Sequence, residues 1–286
     1  MLGIIASIID GVLIGSVYGL AAMGLTLIWG VMNVVNLTHG AAIVAGMFAL
    51  YLLTSGLGIA PYAALPLILV GGFFVGVGLY WIAVHRMIGR PPLMILLSTF
   101  SVNLVVIGLG TAVWGTGLFN VQVSLPGITW QRYTFSGTHI LAAALTAVIA
   151  GSLYLFLYHT RLGKAVRAVA NNREAAELSG IPTTRVLSFS FGLGVALAGA
   201  AGMLIATMFP FTVLAGDAYQ LKSFVVTALG GLGNPGGALL GGVALGLVEG
   251  FAGQFMPVSW TLVIEFVLFV VVLIIFPRGV FAFTRT

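Results

Sequence analysis

The chain predicts an all-α, polytopic integral membrane protein of about eight or nine transmembrane helices, some of them broken or re-entrant. Three observations carry this. Hydrophobic residues make up 60% of the chain and charged residues only 6%, with a mean hydropathy of +1.18, far from the balance of a soluble domain. Apolar windows of about 20 residues recur, the length a helix needs to cross ~30 Å of hydrocarbon. Glycine is abundant, at 40 of 286 residues, as expected where membrane helices pack through small side chains. Residues 1–286 therefore read as one transmembrane domain without a soluble one.

Taken in order, the spans fall at Ile8–Trp29, Val35–Thr54, Pro61–Val84, Pro92–Gly115, His139–His159, Val186–Phe209, a shorter Tyr219–Leu232, Gly236–Phe255 and Val258–Phe276. The first apolar stretch has no basic lead and carries Asp10, so it is expected to be a retained helix and not a cleaved signal. Pro61, Pro92 and Pro257 stand near helix starts, where the missing N–H costs nothing, and Pro277 closes the last span.

The basic residues flank the spans and form no continuous patch, so the net charge of +5 is a topological signal and not a nucleic-acid footprint. Arg86 and Arg90, five residues of the segment Thr160–Arg185, and Arg278 with Arg285 make nine on one side, against Arg132 and Lys222 on the other. That bias puts Thr160–Arg185 and the C-terminus in the cytoplasm and loop 116–138 outside. The N-terminus then lies outside if every early span crosses fully.

Two stretches read as interrupted helices: Asn33–Gly40, with two asparagines and a histidine between apolar runs, and Gly230–Gly237. Each leads into a small-residue run with the same glycine spacing, Gly40 to Gly46 and Gly236 to Gly242. Non-helical backbone at membrane depth survives only where protein buries it or it lines a cavity, and paired interruptions point to a transport path. Asn36, Thr38, His39, Gly40, Gly233 and Gly236 are the path candidates from these stretches. Ser98, Thr99, Ser101 and Asn103 add a polar stripe in the fourth span, open to two readings, helix–helix hydrogen bonding or path lining, with Ser98 and Asn103 the candidates. His39 likewise either faces the path or bonds backbone carbonyls freed by the break. Glu249 and Glu265, near the ends of the last two spans, either face a cavity, where they could meet an ammonium, or are solvated interfacial acids, the simpler reading; Lys222 reads as interfacial.

The polar island Thr160–Arg185 (TRLGKAVRAVANNREAAELSGIPTTR) holds five of the eleven Lys/Arg and two of the six acids. Lys164–Leu178 is rich in Ala, Arg, Glu and Leu and predicts one helix. Gly163 precedes it, and Gly180 with Ile181-Pro182 stops it. Val166, Val169, Arg173 and Ala176 share one face; Arg167, Asn171, Glu174 and Leu178 share another. Such a segment either lies on the lipid surface or docks into a groove on a soluble partner.

Catalysis finds little support. With no cysteine, disulfides, thiolate metal sites and cysteine nucleophiles are excluded. Asp10 and Asp217 sit near span ends, not facing each other at depth, there is no Gly-x-Ser-Gly, and His39, His85, His139 and His159 are scattered. No catalytic residue and no metal site is expected, and the chain has no phosphate-binding G-x-x-x-x-G-K-[ST] loop.

Glu174-Ala175-Ala176-x-x-x-Gly180 resembles the EAA-x-x-x-G loop of permease subunits of binding-protein-dependent ABC importers. The fuller string Gly163-Lys164-Ala-Val-Arg167-Ala … Gly180-Ile181 is similar to the branched-chain amino acid permeases among them. So are, in order along the chain, Gly15-Ser16-x-Tyr18, Asn36-x-x-His39-Gly40, Arg90-Pro91, Leu125-Pro126, Lys222-x-Phe224 with Leu229 to Gly236, and Pro277-x-Gly279. This resemblance implies a permease subunit in a bacterial plasma membrane, paired with a second, related permease subunit. Two cytoplasmic ATPase subunits and an external solute-binding protein would complete the importer, with membrane lipid around it. ATP and Mg would bind the ATPases and no cofactor this chain. The island would be the coupling helix, through Gly163, Lys164, Arg167, Asn171, Glu174, Ala175, Ala176 and Gly180. The implied cargo is a branched-chain or related apolar amino acid; urea, amides and aromatic acids are carried by relatives of the same family. An ion-coupled secondary transporter is the rival class, and it has no use for a docking helix.

Overall fold

The computed structural model describes residues 2–130, 133–257, 260–276 and 279–281. Its membrane part is built from helices: α1 (Leu2–Met32), α2 (His39–Ser55), α3 (Leu65–Leu79), α4 (Pro92–Trp114), α5 (Gly137–His159), α6 (Arg161–Asn171), α7 (Arg173–Leu178), α8 (Thr183–Ala206), α9 (Ala215–Gly230), α10 (Pro235–Phe255) and α11 (Thr261–Ile275). Six of these, α3 counted with its flanking turns as Pro61–Met87, are long and apolar enough to cross a membrane; α2 and α11 are shorter apolar helices. Every predicted span has a helix within a few residues, so the all-α polytopic class holds. Among the described residues a small antiparallel hairpin is added, β1 (Ile128–Trp130) with β2 (Tyr133–Phe135), in the loop between α4 and α5. Arg132, Pro277, Arg278 and Arg285, used in the sequence reading, lie outside the described residues, as does Val258, the predicted start of the last span.

α8 is the central post. Nearly all its residues from Val186 to Ala206 are buried, and α1, α2 and α3 pack around it. Its small residues explain why: Gly194 meets Gly24 of α1, Gly199 and Gly202 meet Gly46 and Ile43 of α2, and Gly192 meets Gly76 of α3. Hydrocarbon offers no hydrophobic drive between helices, so dense backbone contact supplies the attraction instead. A second glycine seam joins α1 to α10, where Gly11, Gly15 and Gly19 face Gly246, Gly242 and Leu239; a Cβ at Gly19 would stand 2.9 Å from the Leu239 Cα. By contrast α4 presents Leu97, Phe100, Leu104 and Leu109 outward, as a lipid-facing helix should.

The bundle has two chemically distinct ends. Arg90 and Arg173 line one cavity, and Arg167 shares a groove with Gly279 of the tail. The basic clusters thus gather at one end. The hairpin lies at the other, where Phe119 and Phe211 exchange backbone hydrogen bonds at 2.8 and 2.9 Å. Gly3 packs beside the Tyr133 hydroxyl, so α1 crosses from the hairpin end to the basic end.

Candidate functional site

The island forms two helices, not the single one predicted. Asn172 is extended (φ −155°, ψ 106°), and its side-chain oxygen accepts from the Ala175 N–H at 3.0 Å. An asparagine that caps a new helix removes itself from the old one, and this local bond outweighs the helix propensity of its neighbours. α6 starts earlier than predicted, because Thr160 caps it through the Gly163 N–H at 2.9 Å. Gly163 therefore lies inside α6, buried, where a Cβ would stand 2.6 Å from the Leu157 Cα at the end of α5. α7 ends in paired reverse bonds, Gly180 N–H to Glu177 C=O and Ile181 N–H to Ala176 C=O at 2.9 and 3.0 Å, with Gly180 at φ +80°. That left-handed closure is why glycine stands there.

Seating follows from the pattern. Val166, Val169 and Ala176 are buried against the bundle, while Arg173, predicted to share their face, is exposed because the break at Asn172 rotates α7. Lys164, Arg167, Asn171, Glu174, Ala175 and Leu178 are exposed, Leu178 to 91%. Arg167 is held in place: its Nε donates to the Leu157 carbonyl at 3.0 Å and its guanidinium lies 4.4 Å from the Tyr158 ring centre. Glu177 accepts from the Thr183 hydroxyl at 3.4 Å, tying α7 to the start of α8.

The first interruption is a true re-entry. After α1 ends, Asn33 takes φ +54° and the chain stays non-helical to Thr38. It climbs back into the bundle. Val34 lines a cavity with Arg90 at the basic end, the Leu37 N–H donates to Thr99 Oγ1 of α4 at 3.2 Å, and His39 rests against the Ala21 backbone. Ala21 is 11 residues before Met32, roughly 16 Å up the helix at 1.5 Å per residue. Asn36 Oδ1 accepts from the Thr38 N–H at 3.0 Å and its hydroxyl at 2.6 Å, closing the turn that starts α2. Asn36, Thr38 and His39 are all buried; neither His39 ring nitrogen nor Asn36 Nδ2 makes a well-formed hydrogen bond. Gly40 lies on Gly216 of α9, with its N–H donating to Gln220 Oε1 at 2.9 Å.

The second interruption is a tight turn. Gly231 (φ +87°) and Gly233 (φ +80°) reverse the chain between α9 and α10, and Asn234 caps α10 through the Gly237 N–H at 3.1 Å. Gly233 packs on Gly30 near the end of α1. The two stretches therefore differ in kind despite their shared glycine spacing. The predicted path residues fall into two groups. Asn36, Thr38, His39 and Gly40 gather with Thr99; Ser98 donates to the Ala83 carbonyl at 2.7 Å and Asn103 is buried in the same helix. Gly233 and Gly236 instead line a separate groove of about 910 Å³ with Thr26, Tyr154, Tyr158 and Arg167.

One constellation escaped the sequence reading. Lys222 was placed at the interface and Glu249 and Glu265 in solvent; instead the three converge inside the bundle. Lys222 Nζ of α9 bonds Glu249 of α10 and Glu265 of α11, the latter at 2.5 Å. The Glu265 side chain is 1% exposed, and Tyr18 of α1 places its ring 4.8 Å from the same ammonium. Asp10, expected alone near a span end, pairs with His139 of α5 at 2.7 Å.

The sequence of residues 7–273 matches the family described as the permease component of branched-chain amino acid transport systems. Over 95% of its length the chain is 26% identical to the high-affinity branched-chain amino acid transport system permease protein LivH of Salmonella typhimurium, covering 93% of that protein. It is 27% identical to the permease protein BraD of Pseudomonas aeruginosa over 96% of this chain and 94% of that one. The probable branched-chain amino acid transport permease LivH of Methanocaldococcus jannaschii is 28% identical, with 96% and 91% covered. A multi-pass membrane bundle, a match along nearly its whole length and relatives of equal extent all agree: the chain belongs to the family of permease components of branched-chain amino acid transport systems.

Proposed function

We propose that this chain is a transmembrane subunit of an ABC importer that moves branched-chain or related apolar amino acids inward, driven by ATP hydrolysis on partner subunits. The observation that carries the reading is the α6–α7 element. Its apolar side (Val166, Val169, Ala176) is seated on the bundle, and its outer side offers Glu174, Glu177 and the almost bare Leu178. A leucine left in water on a charged segment, at the basic end that positive-inside counting puts in the cytoplasm, suits a contact surface for a soluble protein. ATP and Mg belong to the two ATPase subunits docked there, a second related permease subunit completes the pore, and an external binding protein delivers the solute. The substrate class rests on the relatives' names, which specify branched-chain amino acids.

The test is co-purification. Glu174→Lys with Gly180→Trp reverses a charge on the exposed face of α7 and blocks its left-handed closure. Loss of the ATPase subunits with retention of membrane insertion is expected. Unchanged ATPase stoichiometry would remove α6–α7 from the coupling role.

A further inference from the structure

We propose that the cavity beside the α6–α7 junction is a binding site for a free α-amino acid zwitterion, through which accumulated product slows import. The identity of the amino acid, branched-chain, rests on the functional reading above; the site itself rests on its own geometry.

The cavity measures about 250 Å³. At ~30 Å³ of liquid volume per water it holds roughly eight waters, the scale of one amino acid and below that of drug-sized ligand pockets. Arg90 and Arg173 line it and no Asp or Glu does. Neither arginine is in an ion pair among the described residues. Both arginines are exposed, so their side chains are free to turn to this space; two such cations beside one small cavity favour an anion, and carboxylate matches their forked donors. Behind them the wall turns apolar, with Val31, Val84, Ile95 and Leu187. A bare inorganic anion would leave that wall wetted; a branched aliphatic side chain covers it.

The third functional group is accounted for by the helix ends. The cavity lies between Met32, the last residue of α1, and Pro92, the first of α4. A helix C-terminus carries about half a negative charge and an N-terminus about half a positive one, and the last carbonyls of α1 have no partner within the helix. An ammonium is favoured on the α1 side and a carboxylate on the arginine side; α4 opens with Pro91 and Pro92, which carry no N–H, and adds only the positive end of its dipole. The polarity is that of a zwitterion.

The position gives the site its consequence. Its walls come from the re-entrant link (Asn33, Val34), the turn before α4 (Arg90) and the α6–α7 junction (Arg173). An occupant holds the docking element to the link and stabilises whichever transport state keeps these three together, at the expense of states that separate them.

The experiment uses the whole complex in nanodiscs, without binding protein or ATP, and measures equilibrium binding of radiolabelled leucine. Saturable binding is expected, competed weakly by isocaproate, which lacks the ammonium, and by isoamylamine, which lacks the carboxylate, and not by inorganic phosphate. Arg90→Gln and Arg173→Gln should each weaken binding about tenfold or more, the worth of a charged hydrogen bond. Ile88→Trp, which fills the cavity, gives an independent reading if either arginine variant fails to assemble. In proteoliposomes, leucine preloaded on the ATP side should lower the initial uptake rate, and Arg90→Gln should bring the preloaded-to-empty ratio towards one. Leucine affinity unmoved by all three substitutions, displacement by phosphate as strong as by leucine, or no effect of preloading would overturn the proposal. A complex that imports branched-chain amino acids yet fails these tests refutes this site alone. One that imports none of them refutes the functional reading.

Discussion

Replacing Lys222 by Met removes the only cation from a buried cluster that holds two carboxylates. Lys222 and Glu249 are 14% and 16% exposed and Glu265 only 1%. Breaking a buried ion pair by deleting one partner costs about 3–5 kcal/mol, because the remaining charge has no compensation. For a protein of this size that corresponds to a fall in melting temperature on the order of 10 °C. Glu265→Gln should behave differently. It keeps an acceptor for Lys222 and leaves the ammonium matched one-to-one with Glu249, so its cost should stay within about 1 kcal/mol. Combining Lys222→Met with Glu265→Gln should recover part of the loss. Thermal unfolding of the purified permease, followed by fluorescence-detected size exclusion, reads all three variants. If Glu265→Gln proves as damaging as Lys222→Met, or Lys222→Met has no effect, charge balance is not what the cluster provides.

Other consequences follow from the same packing. Gly40→Leu drives a side chain into the Gly216 backbone and Gln220, an overpacking worth about 1–3 kcal/mol, and transport should fall much more than assembly; Gly236, where a Cβ meets only Asn234 Oδ1 at 3.6 Å, should tolerate Leu. Equal loss at both positions would refute the distinction between the re-entrant link and the tight turn. A single cysteine at Asn172, in a chain that has none of its own, should resist an impermeant thiol reagent in intact cells and react in inverted vesicles. The reverse pattern would invert the topology.

Much of the fold was legible because its signals are local. Nine apolar segments stand out as windows, and each lies on a helix. Asn33 stands between the first two segments and Asn36 and His39 within the start of the second, and the backbone is non-helical from Asn33 to Thr38. The island announced itself by charge. Its break at Asn172 was also readable, since an asparagine ahead of Glu174 is an N-cap signal; the run of good helix formers on both sides masked it. The Lys222–Glu249–Glu265 cluster was not readable. Its members are 27 and 43 residues from Lys222, on three helices whose rotations are set by packing and not by sequence spacing. Asp10 and His139, 129 residues apart, are hidden for the same reason. Gly163 was expected to precede the helix and instead lies inside it, because a glycine that admits a neighbouring backbone and one that flanks a helix are identical in sequence.

The most direct test of the central claim is uptake of radiolabelled leucine by proteoliposomes holding the permease with its co-purified partner subunits, with binding protein outside. Uptake is expected to require ATP and the binding protein, to persist when ion gradients are collapsed, and to be lost with Glu174→Lys and Gly180→Trp combined. Uptake driven by a proton or sodium gradient without ATP, and indifferent to that double change, would contradict it.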